Sequence, residues 1–481
     1  MKKRNIKINK KKLEKDNKKE ELIKKSKSHS LKDAAFVNAT VGFGDSYISP
    51  YMIELKATNQ QIAALTSIPN LIAPLAQLFT SKLMKKYSRK RIFSIAILIQ
   101  SILWIPIILV SILFLKDIKY APLLVIIFWT VYASLGNLAA PAWSSWLGDL
   151  IKKEEFGRFF GLRNKIGGII ALISMLIAGI ILDKFKFFSG ITNNQAWIFF
   201  GFSIIFLFAM IFRLISRYYV LQQYEPAFKF QEEYYFSFFQ FVKKAPFNNF
   251  GRFSIYIAFI VLVTNISSPF YSIYMLRVLN FSYSKFILIN ISATIASFIF
   301  MPIWGRFADK FGNITMLKIT SFLIPLICFA WLINPNFSWF FYFILVANFI
   351  SGFSWAGFNL AAGNFVYDAA TPQRRSLCVA YTSVLNGAGV FIGATIGGLL
   401  ATHLPEKVLI FHKLMFISLI SGILRYAFAF LLVFKIKEVR EIKQKVSWKD
   451  VPLVSEIYNI NNFLLREFPL LVKKPFKRIK I

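Results

Sequence analysis

The chain is poor in the groups on which metal proteins and most enzymes depend. Its 481 residues include two cysteines and three histidines. Cys328 and Cys378 are too few for a disulfide framework, and His29, His403 and His412 are scattered, so no metal site and no cofactor are expected. There is no P-loop or other nucleotide signature, no catalytic triad and no carboxylate pair at useful spacing, so neither an enzyme nor an ATP-driven pump has support. Strand-like alternation is missing, which excludes an outer-membrane barrel. Acid is scarce too: 23 Asp and Glu stand against 58 Lys and Arg, a net charge of +35. Residues 1–32 are too lysine-rich to hold the apolar core of a signal peptide, and they read as a disordered cytoplasmic tail drawn to anionic lipid headgroups.

Apolar runs, by contrast, are plentiful. The chain is 56% hydrophobic and 17% aromatic, and stretches of about 18 or more apolar residues recur between short basic clusters. In lipid such stretches must be helices, because every backbone polar group needs an internal partner. Twelve spans follow, at 34–53, 62–80, 92–115, 121–143, 166–182, 196–216, 253–276, 286–304, 316–333, 339–365, 379–403 and 409–434. Asp45 and several small polar residues interrupt the first. The expected organisation is a basic tail (1–33), a six-helix bundle (34–220), a linker (221–252), a second bundle (253–435) and a second basic tail (436–481). With the tails set aside, the spans place 22 Lys and Arg on the side of the termini and 9 on the other. The positive-inside rule then puts both termini in the cytoplasm and accounts for the charge without nucleic acid as a partner.

The two bundles repeat one another. Asn137-Leu138-Ala139-Ala140 in the fourth span recurs as Asn359-Leu360-Ala361-Ala362 in the tenth, Asp149 recurs as Asp368, and Arg213 as Arg425. The offsets of 222, 219 and 212 residues drift as loop insertions and deletions would make them drift. Two parallel halves related across the membrane normal are a known transporter design.

Between the eighth and ninth spans the chain reads Gly305-Arg306-Phe307-Ala308-Asp309-Lys310-Phe311-Gly312-Asn313. Gly305 suits close helix approach and Gly312 a tight turn. Asp309 can face a helix N-terminus, and Arg306 and Lys310 meet the positive-inside requirement. This segment resembles motif A of the major facilitator superfamily, in the loop where that family carries its second copy. The resemblance implies twelve helices in two six-helix bundles with pseudo-twofold symmetry, working by alternating access. The first copy departs from the pattern, with Lys85 where the aspartate belongs; in the family that aspartate helps hold the cytoplasmic gate. Asp368 is expected to supply the missing carboxylate. Two further inner loops resemble the family: Asp149 before Gly157-Arg158-Phe159-Phe160-Gly161, and Asp368 before Pro372, Arg374 and Arg375. The glycine-proline pattern of drug antiporters is absent from the fifth span, and the glycines of the eleventh read as close packing.

Asp45 is the acidic residue placed near the middle of a span, where a carboxylate must face protein or a water-filled cavity. It is expected to bind substrate or a coupling proton, with Asn38 seven residues earlier on the same face. Asn348, Gly352, Trp355 and Asn359 mark one face of the tenth span and suggest a cavity wall. Tyr132, Asn137 and Asn265 complete the candidate set. Trp143, Trp146 and Trp339 read as interfacial anchors, and Arg213 and Arg425 as side chains snorkelling to headgroups. The expected protein is a secondary active transporter of a small solute, proton-coupled, monomeric, in the plasma membrane; a non-transporting receptor or scaffold on the same fold is the alternative. Nothing in the sequence names the solute.

Overall fold

The computed structural model describes residues 2–151, 155–226, 237–370, 375–442, 450 and 452. The chain is almost wholly helical. In its first half α1 (Lys2–Phe43) passes through a short turn at Asp45–Tyr47 into α2 (Ile48–Glu54). Then come α3 (Asn59–Gln77), α4 (Thr80–Met84), α5 (Arg89–Leu115), α6 (Ala121–Leu150), α7 (Phe156–Thr192) and α8 (Ala196–Leu221). A short helix α9 (Phe238–Lys244) lies in the linker. The second half is built from α10 (Asn249–Ser267), α11 (Phe270–Ile273), α12 (Tyr283–Phe311), α13 (Asn313–Leu323), α14 (Leu326–Ala330), α15 (Phe340–Ala369), α16 (Arg375–His403) and α17 (Lys413–Leu432). A two-residue hairpin, β1 (Lys407–Val408) with β2 (Phe411–His412), joins the last two.

Among the described residues, eleven helical segments are long and apolar enough to cross a membrane. The first span is the one outside that set: Asp45 and its small polar residues make it too polar, and its helix breaks as well. Gly44 has the indole of Trp104 packed where a side chain would stand, and the backbone leaves the α-helix there for the turn at Asp45. Helix starts are set by local chemistry. Thr58 and Gln61 form a reciprocal capping box at α3, and Ser88 and Ser282 cap α5 and α12 through the backbone N–H three residues on.

The surface is inverted relative to a water-soluble protein. On α5 the exposed residues Ile95, Ile99, Ile102, Ile105, Leu109 and Ile112 recur at helical spacing, while Ser94, Gln100, Ser101 and Ser111 of the same helix are buried. Such an arrangement suits a hydrocarbon solvent, in which polar groups are satisfied inside the bundle. The glycines of α16 pack as expected: Gly389, Gly393 and Gly397 lie on backbone of α10 and its flank, and Gly387 on the backbone of Asn70 in α3.

The N-terminal tail differs from expectation. It forms the start of the same helix that enters the membrane, and Ser26, Ser30 and Asp33 are buried. Asp33, expected at the tail boundary, accepts from Ser216 Oγ at 2.7 Å and pairs with Arg163 at 3.1 Å. Helix continuity wins because buried partners on α7 and α8 satisfy the polar face of this turn.

Candidate transport site

A cavity of about 390 Å³ lies between the halves. Ser49 of α2 and Thr66 of α3 line it from the first half; Tyr271, Asn290, Trp331, Asn348, Trp355 and Arg425 are among its walls from the second. Asn348 and Trp355 therefore stand on a cavity wall, and Asn265 adjoins it by accepting from Ser268 Oγ at 3.1 Å. Asn359 is exposed and lines neither this cavity nor the smaller one below. Arg425 was the residue that sequence reasoning sent to the headgroups. It is 2% exposed, its Nη2 donates to Thr264 O at 3.2 Å and to Ser267 Oγ at 3.0 Å, and its Nε has no acceptor. Its burial against α10, where Thr264 and Ser267 accept its N–H groups, holds it inside.

Asp45 sits outside that cavity. It receives the Tyr132 hydroxyl at 3.3 Å, and Arg213 is the opposite charge that acts on it. Arg213 does not snorkel either: it is 7% exposed and donates to Gln100 Oε1 at 2.5 Å, while Gln100 donates to Tyr132 O at 2.8 Å. A cavity of about 250 Å³ opens beside it, lined by Asp33, Gln100, Trp143, Arg163 and Arg213 among others. Trp143 lies under the Arg163 guanidinium at 4.7 Å; Trp146 is fully buried, donating to Tyr224 O, and so is no interfacial anchor; Trp339 is exposed. Asn38 and Asn137 spend their amides on the carbonyls four residues back. The break at Gly44 ends the helical register that would have carried Asn38 onto the face of Asp45.

The sequence model of the Major Facilitator Superfamily matches residues 34–262 and 253–478. The chain belongs to the Major Facilitator Superfamily. It is a multi-pass membrane transporter and not an enzyme. By structure it is similar to the nucleoside transporter NupG (18% identity, 86% of this chain and all of that chain covered, TM-score 0.57). It is also similar to a bacterial homologue of the human lysosomal transporter Spinster in an inward-facing, unoccupied conformation (14%, 89% and 99%, 0.55). A third likeness is to a bacterial homologue of the iron transporter ferroportin in an inward-facing state (13%, 84% and 98%, 0.58). No curated protein matches the chain by sequence.

At the terminal face of this major facilitator, the second motif copy differs in detail from its expected roles. Gly312 makes the turn, at φ +89°. The group at the start of α13 is not Asp309 but Glu438, which accepts from Ile314 N at 2.7 Å. Asp309 is largely exposed and faces Arg440 at 3.6 Å, and Lys310 faces Asp450 at 3.9 Å. Arg306 is exposed, and Gly305 has only ordinary contact with Leu360, so close approach does not explain it. Asp368 accepts from Asn313 at 2.7 Å and from Arg440 at 2.8 Å and makes no ion pair with Lys85. Strong donors inside its own half have claimed it. In the first half Asp149 pairs with the fully buried Arg89 at 2.5 Å, and Glu225 accepts from Arg89 N at 2.9 Å. Arg375 opens α16, but its side chain, like those of Pro372 and Arg374, lies outside the described residues.

The opposite face is closed by hydrogen bonds that cross between the halves. Ser49 meets Ser272 at 2.9 Å at the cavity edge. Further out, Arg277 donates to Ala57 O at 3.0 Å, Asn59 to Ala401 O at 3.0 Å, and Tyr283 OH to Glu54 at 2.6 Å. Asp183 of α7 takes the first backbone N–H groups of α12, Tyr283 N at 2.6 Å and Ser284 N at 3.0 Å. Sequence reasoning missed this set, although Glu54 and Asp183 are two of the four acids, with Asp117 and Glu406, in the loops of the lysine-poor side.

Proposed function

We propose that this chain is a secondary active transporter that carries a small solute by alternating access, with proton coupling at Asp45, in the plasma membrane with both termini cytoplasmic. One observation carries the reading. A cavity between the halves is sealed on the side away from the termini by hydrogen bonds that cross from half to half, an arrangement suited to opening the other way. Asp45 supports coupling because its carboxylate is held by one neutral donor, Tyr132, and one charged neighbour, Arg213. A group so placed can exchange a proton without disrupting an ion-pair lattice. The bundles 34–220 and 253–435 are the bodies that would rock, as a monomer, with the lysine-rich tails held to anionic lipid.

The test is uptake into proteoliposomes under an imposed pH gradient, across a metabolite panel, for the wild type and Asp45→Asn. Gradient-driven uptake that falls at least tenfold in the variant is the expected result. Uptake that ignores the gradient in both proteins would remove proton coupling, and no uptake of any solute would remove transport.

A further inference from the structure

The two halves place one buried arginine each in equivalent positions, but they neutralise them differently. Arg213 faces Asp45. Arg425 has no such acid: its Nη2 donates to Thr264 O at 3.2 Å and to Ser267 Oγ at 3.0 Å. The second half thus repeats the cation without the acid. Arg425 has no ion-pair partner among the described residues, yet it is 2% exposed, and its Nε lacks an acceptor. A buried unpaired charge is costly, and in membrane proteins such groups mark the path of a charged ligand.

Among the described residues, no Asp or Glu lines the cavity beside Arg425. Tyr271, Phe286, Trp331 and Trp355 give it a broad apolar and aromatic wall, with Asn290 and Asn348 as its amides. Its volume of about 390 Å³ falls in the range, roughly 300–1,000 Å³, of sites for small organic ligands. On the transport reading above, we infer that the solute is an organic oxyanion. Its carboxylate or phosphate pairs with Arg425, and its apolar, preferably planar, body lies against Trp331 and Trp355. A guanidinium suits this role because it stays charged and offers a planar fork to an oxyanion. The solute supplies the negative charge that Asp45 supplies to Arg213.

The experiment uses the full-length protein in detergent, with thermal unfolding as readout. The probes are benzoate and phenyl phosphate, with benzamide and benzylamine as uncharged and cationic counterparts. At least one anion raises the melting temperature of the wild type in a saturable way, and benzamide and benzylamine do not. Which anion acts separates carboxylate from phosphate chemistry. In Arg425→Gln the affinity for that anion falls about a hundredfold, the range for breaking a buried charge pair; Arg425→Lys retains selectivity for the anion over benzamide, which shows that the site still folds. The inference is overturned if benzamide binds as well as benzoate, if Arg425→Gln binds the anion unchanged, or if no anion shifts the wild type. Flux separates this inference from the transport reading. An anion that binds through Arg425, with no solute of the panel crossing a proteoliposome membrane, keeps the site and removes transport; a neutral solute carried equally by wild type and Arg425→Gln does the reverse.

Discussion

Glu225 and Glu438, 213 residues apart, perform the same task in the two halves. Each follows the last span of its half and turns back to accept the first backbone N–H groups of the third: Arg89 N at 2.9 Å for Glu225, Ile314 N at 2.7 Å for Glu438. A carboxylate there meets both the unpaired amides and the positive end of the helix dipole. Replacing either with Ala should cost about 1 kcal/mol. Because the sites are far apart, the double variant should show the sum of the two losses in its melting curve. A loss in only one half would show that the repeat is geometric and not energetic.

Among the described residues, Arg89 has the most hydrogen-bond partners of any side chain at the terminal face. It is fully buried, with Asp149, Ser145 and the Pro226 carbonyl as acceptors. Arg89→Gln strands these groups, and the expected destabilisation is about 3 kcal/mol. The exposed Arg306 gives the control: Arg306→Gln should stay within about 0.5 kcal/mol in the same assay.

Arg213→Gln should destabilise the protein, since it leaves Asp45 without its cation. Asp45→Asn together with Arg213→Gln should recover part of that loss, because the buried charges leave together. Additive losses in the double-mutant cycle would show that the two do not interact.

Asp183→Asn weakens a seal between the halves and leaves the individual bundles intact. The loss of charge at the start of α12 is worth about 1 kcal/mol, which corresponds to about a fivefold population shift. Spin labels on the two halves near Glu54 and Tyr283 would read it as a rise in the long-distance population. An unchanged distance distribution would mean that the other crossing bonds suffice.

Much of the fold was legible because the signals were local. Apolar length announced the spans, the repeat of Asn137 and Asn359 announced two halves, and the Gly305–Asn313 segment announced the family. The site was less legible for a physical reason. Asn348 and Trp355 could be placed on a cavity wall from helical spacing alone. Arg425 could not be distinguished from a snorkelling residue, because that choice depends on depth and on which neighbours accept its protons. Nor could the partners of Asp368: Asn313 and Arg440 of its own half hold it here, and Arg440 lies in a segment that sequence alone reads as plain basic tail. Glu225 and Glu438 were hidden for the same reason, although their common offset was countable.

The break in the first span has a mechanical meaning. Below it, α1 is packed against α7 and α8 of its own half. Above it, α2 is fastened across the divide, through Ser49 to Ser272 and through Glu54 to Tyr283. Tyr51 of α2 nevertheless holds to its own half, its hydroxyl donating to Ile107 O at 3.0 Å. The upper part of the span is thus the first half's hand on the second, and Asp45 stands at its wrist, where the helix breaks.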